Sequence, residues 1–156
     1  MVGCFEDAQL IGEWDNYFPL PDGWGYLDEG AERAAYISPD NVVYKVELRP
    51  DGSNTNEYFN ICTIKECEPV EGWDVPDATL YDVSKYIKVI AMEYVKGKND
   101  IECHSYMGSR DECDCEQFPC TAIGWEMIAK LWGVRDLTAE NVRVVGDTRV
   151  LIDVSH

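Results

Sequence analysis

Residues 134–156 read VRDLTAENVRVVGDTRVLIDVSH. Asp136 is followed by Asn141, then by two short β-rich runs, NVRVV and RVLID, around Gly146–Asp147, and then by Asp153. Gly and Asp between alternating apolar residues signal a hairpin, and a hairpin brings its two outer ends together. Asn141 and Asp153 stand at those ends. An amide carbonyl with a carboxylate is a hard-oxygen pair suited to Mg²⁺, which keeps several waters and borrows phosphate oxygens. Asp136 offers a carboxylate that can accept a proton from a hydroxyl nucleophile. Phosphoryl transfer needs little beyond positioning and charge neutralisation. Each residue also has a plainer reading, since Asp and Asn often form turns and loop caps.

Upstream, TAIGWEMIAKLWGV (121–134) reads as a helix, with Ile123, Met127 and Leu131 four apart and Gly133 at its exit. KYIKVIAMEYV (85–95) reads as a buried strand. Between them, from about 97 to 119, lies an acidic, cysteine-rich insertion. Cys103, Cys113, Cys115 and Cys120, with His104 alongside, are candidate tetrahedral Zn²⁺ ligands, although no C-x₂-C pair is present. The alternative is a thiol-rich surface loop. NTNEYFNICTIKE (54–66) reads as a helix with Asn54 as cap and Tyr58, Ile61 and Cys62 on one face. Glu57 then falls at the third helical position, where a capping role competes with any other. WGYLDEGAERAAYISPDNVVYKVEL (24–48) reads as strands joined by turns, with SPDN a good turn. Residues 1–23 read as irregular, anchored by Trp14, Tyr17 and Phe18. Strands, helix, strand, loop, helix and hairpin in that order make an α+β fold.

The composition agrees with one folded domain over 1–156. The chain is 46% hydrophobic, with five Trp and nine Tyr, enough to build a core. No apolar run reaches the roughly 20 residues of a membrane span, and MVGCFEDAQL lacks the basic n-region and apolar h-region of a signal peptide. A soluble cytoplasmic protein is expected. Thirty acidic and 13 basic side chains give a formal charge of −17. That balance disfavours direct nucleic-acid binding and attracts basic surfaces. It fits a self-repelling soluble surface, or alternatively a face that mimics nucleic acid. Seven Cys without an export signal argue against a disulfide framework.

Several segments, in one order, are similar to a known family. VRDLTAEN resembles the H-R-D-L-x-x-x-N catalytic loop of the protein-kinase-like superfamily, and LIDVSH resembles the strand carrying the metal-binding Asp of D-F-G. VVYKV resembles the V-A-I-K strand, LDEGAERAAY the Gly-rich loop, and VIAMEYV the strand entering the hinge. The chain also looks like short bacteriophage-encoded kinase-like proteins, which would place it in a bacterial host cytoplasm. The resemblance implies a reduced kinase-like fold: an antiparallel N-lobe sheet with one αC-like helix, a hinge (24–96), and a minimal C-lobe of helix, catalytic loop and hairpin (120–156). It implies ATP and Mg²⁺ as cofactors. Lys45 would contact the α/β-phosphates, and Glu57 would pair with Lys45. Gly30 would lie under the phosphates. Met92, Glu93 and Val95 would line the hinge, Asp136 would be the catalytic base, and Asn141 and Asp153 would hold Mg²⁺.

The pattern also departs from the family. Asp28 and Arg33 occupy the outer glycine positions, Val134 replaces the HRD histidine, and Asp153-Val154-Ser155 replaces D-F-G. Only three residues follow Asp153, so a substrate platform is expected from the 97–119 insertion or from a partner. Three functions remain open. The first is a minimal kinase acting on a protein or small-molecule hydroxyl. The second is a pseudokinase-like phage protein that binds a host protein. The third is an acidic nucleic-acid-mimic inhibitor. Apolar surface left by a missing half-cleft would make a homodimer plausible.

Overall fold

The computed structural model of the chain describes residues 1–99, 121–135 and 141–154. In chain order the elements are α1 (Phe5–Gly12), β1 (Gly25–Glu29), β2 (Arg33–Ile37), β3 (Val42–Glu47), α2 (Ser53–Glu66), β4 (Trp73–Asp74), β5 (Ala78–Asp82), β6 (Lys88–Glu93), β7 (Lys98–Asn99), α3 (Thr121–Trp132), β8 (Val142–Val145) and β9 (Thr148–Leu151). They form two compact units. One holds residues 1–61 and 76–94, the other essentially 62–75 and 95–154.

The first unit is an antiparallel five-stranded sheet in the order β1-β2-β3-β6-β5. RAAYI and VVYKVE alternate with period two, so each strand gives one set of side chains to each face. Ala34, Tyr36, Tyr44, Tyr81, Val89 and Ala91 share one face and pack with Ala8 and Ile11 of α1. Lys45, one residue after Tyr44 and paired in register with Ile90, belongs to the opposite face. The turn between β2 and β3 closes through Asn41 N–H to Ser38 O at 3.0 Å, with Asn41 at φ 61°. Asn tolerates that left-handed conformation, as the SPDN reading requires.

Residues 1–23 are not irregular throughout, because α1 lies within them. Its buried residues are only Ala8 and Ile11, too few to register as a periodic stripe. Tertiary contacts hold it instead. Cys4 N–H donates to Tyr44 Oη at 3.1 Å, Tyr81 Oη donates to Val2 O at 2.8 Å, and Val2 N–H donates to Thr79 Oγ1 at 2.9 Å. Burial is the main reason that the Tyr44 hydroxyl titrates above its ordinary range. Of the expected anchors only Trp14 packs, edge-on to Tyr36 at 5.6 Å, while Tyr17 and Phe18 are exposed.

The second unit carries a sheet in the order β4-β9-β8-β7, with β4 and β9 parallel. α3 has the expected bounds, and Gly133 leaves it at φ 69°, the left-handed exit that glycine favours. Its expected apolar face is corrected by the structure: Met127 and Leu131 are exposed, and Ile128 is fully buried. Among the described residues, no helix is long and apolar enough to cross a membrane.

Candidate functional site

The first unit's polar centre is built by β2, β3 and α2. Lys45 lies mid-strand on β3, and its Nζ is 2.8 Å from Glu57 Oε1. Arg33, at the start of β2, places Nη1 2.8 Å from the same oxygen. Glu57 is fully buried, and the Arg33 and Lys45 side chains are only 9% and 12% exposed. Low local dielectric strengthens such pairs and makes each partner costly to remove.

Asn54 completes this centre, and it is not a helix cap. It lies inside α2, fully buried. Its Nδ2 donates to Lys45 O and to Lys88 O, each at 2.8 Å, while its Oδ1 accepts from Arg33 Nη1 at 3.1 Å. Capping falls to earlier residues. Asp51 Oδ1 accepts the Ser53 hydroxyl at 2.6 Å and the Ser53 N–H at 3.0 Å, and Glu47 Oε1 accepts the Asn54 N–H at 3.0 Å. The Ser53 hydroxyl and N–H hold the Asp51 carboxyl below its ordinary value. Carboxylates at a helix start also suit its dipole. The buried stripe of α2 is Asn54, Glu57, Ile61 and Ile64, whereas Tyr58 and Cys62 are half-buried.

Gly30 sits in the turn between β1 and β2, and its N–H donates to Arg33 O at 2.9 Å. A Cβ at Gly30 would meet only that oxygen, at 4.0 Å, so its own packing does not demand glycine. Met92 is 2% exposed at the end of β6, paired in register with Val43. Glu93 is exposed, and its Oε1 accepts the Asp77 N–H at 2.7 Å. The chain passes from the first unit to the second between Tyr94 and Val95.

In the second unit, β8 and β9 form the expected hairpin, with Val142 opposite Leu151 and Gly146 at φ 61° in the turn. The ladder continues one step outward, where Ile152 N–H donates to Asn141 O at 2.8 Å. Asn141 and Asp153 therefore lie at the same end of the hairpin, both half-buried. One amide and one carboxylate leave coordination places for water and phosphate, a donor set that fits Mg²⁺. Among the described residues no cluster of three or more His, Cys, Asp or Glu could hold a metal alone. Asp136, and the Zn²⁺ candidates Cys103, His104, Cys113, Cys115 and Cys120, lie outside the described residues.

Sequence reasoning missed the buried roles of Arg33 and Asn54, and also Arg149. Arg149 is 1% exposed on β9, its N–H donates to Gly72 O at 2.7 Å, and its guanidinium lies 6.0 Å from the Trp73 ring centroid. The available signals were an Arg at an outer glycine position of the resembled Gly-rich loop, and a charged residue on the inward phase of an alternating strand.

No family model and no curated protein matches the chain. Among solved structures it is similar to WbdD, with 18% identity over 84% of this chain and a TM-score of 0.52. It has a reduced protein-kinase-like fold. The chain spans about a third of WbdD, 32% of that chain. A second structure, of "the bifunctional kinase- methyltransferase WbdD", aligns at 20% identity over 85% of this chain and 33% of that one, with a TM-score of 0.49. A streptomycin–ATP ternary complex of APH(2")-IIa aligns at 16% identity over 85% of this chain and 65% of that one, also at 0.49.

Proposed function

We propose that this chain binds a nucleoside triphosphate with Mg²⁺ and transfers the terminal phosphoryl group to a hydroxyl of a protein or small molecule. The observation that carries this reading is the buried Lys45–Glu57 pair, at 2.8 Å, bridging β3 and α2 of a kinase-like sheet. An ammonium held by a buried carboxylate is a preorganised cation for phosphate, fixed before the ligand arrives. In this reading Lys45 contacts the α/β-phosphates and the Met92–Val95 backbone meets the base edge. Gly30 turns the loop beside the phosphates. Asn141 and Asp153 are the protein oxygens for Mg²⁺, which would neutralise charge developing on the phosphates. Asp136 accepts the hydroxyl proton as the nucleophile's oxygen bonds to phosphorus and the bond to the β-phosphate breaks, releasing the diphosphate.

One observation favours a second reading, a nucleotide-site relic that binds a partner protein without turnover. The Gly30 N–H is engaged by Arg33 O, and Asp28, on β1, occupies an outer glycine position of the resembled Gly-rich loop, where a carboxylate would repel phosphate. Backbone N–H groups in such loops normally face the ligand. A fluorescent ATP analogue titrated with Mg²⁺, and again with Mg²⁺ chelated, tests binding in the wild type, Lys45→Met and Asp153→Asn. ADP production by wild type and Asp136→Asn tests turnover. The kinase reading expects Mg²⁺-dependent binding weakened in both binding variants, and ADP production lost in Asp136→Asn. Binding without ADP production supports the second reading, and absence of both overturns the first.

A further inference from the structure

In a kinase-like site a single lysine–carboxylate link between strand and helix has a built-in conflict. The lysine must serve the phosphates while also holding the helix. Here the helix has a second cation. Arg33 Nη1 and Lys45 Nζ each lie 2.8 Å from the same Glu57 oxygen, and they come from different strands, β2 and β3. Arg33 Nη1 also reaches Asn54 Oδ1, three residues earlier on α2, at 3.1 Å. Asn54 in turn is tied to the backbone of β3 and β6 through Lys45 O and Lys88 O. Glu47, the register partner of Arg33, accepts the Asn54 N–H. The first turns of α2 are thereby fastened to three strands through buried polar groups. Only one of these bonds uses the Lys45 ammonium.

We infer that Arg33 is a positioning residue that keeps Glu57, and with it the start of α2, in place when Lys45 engages a phosphate. The chemistry suits the residue. A guanidinium fork reaches two acceptors in fixed geometry, where an ammonium is a point charge on a flexible stem. The position that a Gly-rich loop would leave without a side chain here carries the second clasp of the helix. Helix placement then does not depend on the lysine, and swinging α2 away would strip Glu57 of two cations in a buried setting. The idea rests on the nucleotide reading for its purpose, but its structural core concerns the ligand-free protein.

Hydrogen exchange of the full chain, read by mass spectrometry on α2 peptides with β6 peptides as internal reference, tests it in wild type, Lys45→Met, Arg33→Met and Arg33→Lys. The expected result without ligand is α2 exchange no more than about fivefold faster in Lys45→Met and at least about tenfold faster in Arg33→Met, with β6 unchanged. Arg33→Lys restores charge without the fork and falls between them. Loss of α2 protection in Lys45→Met as large as in Arg33→Met overturns the inference, as does unchanged α2 exchange in Arg33→Met. If Arg33→Met loosens β6 as well, the decision passes to Arg33→Lys, where selective α2 loosening supports the inference and wild-type exchange overturns it. Fluorescent-nucleotide affinity in the same variants separates the two claims. Failure of wild type to bind nucleotide refutes the proposed function and leaves the exchange result standing.

Discussion

Glu57→Gln should be among the most damaging near-isosteric substitutions in the first unit. Glu57 is fully buried, and one of its oxygens serves two cations whose side chains are 9% and 12% exposed. Gln keeps an acceptor oxygen but not the charge, so both cations lose their shared carboxylate in a buried setting. Removing one partner of a buried pair costs about 3–5 kcal/mol, which is the expected loss. Lys45→Met should cost about 1 kcal/mol, because the carboxylate keeps Arg33 and the Met stem fills the lysine volume. Urea unfolding at pH 7, followed by circular dichroism with m held common, reads both values. A loss under about 0.5 kcal/mol for Glu57→Gln would be surface-pair behaviour and would refute the buried two-cation arrangement. Equal losses for the two variants would refute the claim that Arg33 shares the carboxylate.

Gly3→Ala should destabilise the docking of α1 by about 1–3 kcal/mol, an overpacking cost. Gly3 has φ 70°, and an added Cβ would stand 2.5 Å from Tyr44 Oη and 3.0 Å from Ala91 Cβ; thermal unfolding checks it. Asp51, whose carboxyl is held low by the Ser53 hydroxyl and N–H, contributes stability that is complete above its ordinary value, about 3.9, and lost as pH falls through the lower folded value. Asp51→Asn should therefore flatten the acid limb of the stability–pH curve, and an unchanged limb would contradict the assignment. Gly97→Ala would place a Cβ 2.5 Å from Val144 O, so it should break the pairing of β7 with β8, read as faster exchange of the 98–99 and 143–144 amides. Asn54→Leu should cost about 1–3 kcal/mol, because it leaves the Lys45 and Lys88 carbonyls without the amide that now reaches them.

β2, β3 and the β8–β9 hairpin were legible because RAAYI and VVYKVE carry a clean two-residue period and the SPDN and Gly146–Asp147 turns bound their strands, whereas edge strand β5 (Ala78–Asp82) and the two-residue β7 were not anticipated. The bounds of α2 and α3 were legible too, but not their buried faces. In α2 half of the buried stripe is Asn54 and Glu57, so a search for apolar periodicity shifts to Tyr58 and Cys62. In α3 an apolar row at Met127 and Leu131 turns outward while Ile128 is buried, because packing rather than pattern selects the face. β4 has two residues in a parallel ladder with β9, a long-range pairing that leaves no local trace. At the candidate site, the Lys45–Glu57 pair was implied only by the family resemblance, with a capping role for Glu57 as its rival, whereas the hairpin pattern itself put Asn141 and Asp153 at one end. Arg33 was read as a lost glycine, since nothing local reveals that its guanidinium reaches Glu57 on another element.

The most direct test of nucleotide binding is the thermal unfolding midpoint of the full chain with and without ATP and Mg²⁺, beside Lys45→Met and Asp153→Asn. A ligand that binds only the folded state adds about 2.7 kcal/mol at 100 times its Kd. Nucleotide bound at the proposed residues should raise the wild-type midpoint by several degrees, with the rise greatly reduced in both variants. An unmoved midpoint at millimolar ATP and Mg²⁺, or an equal rise in all three proteins, would contradict it.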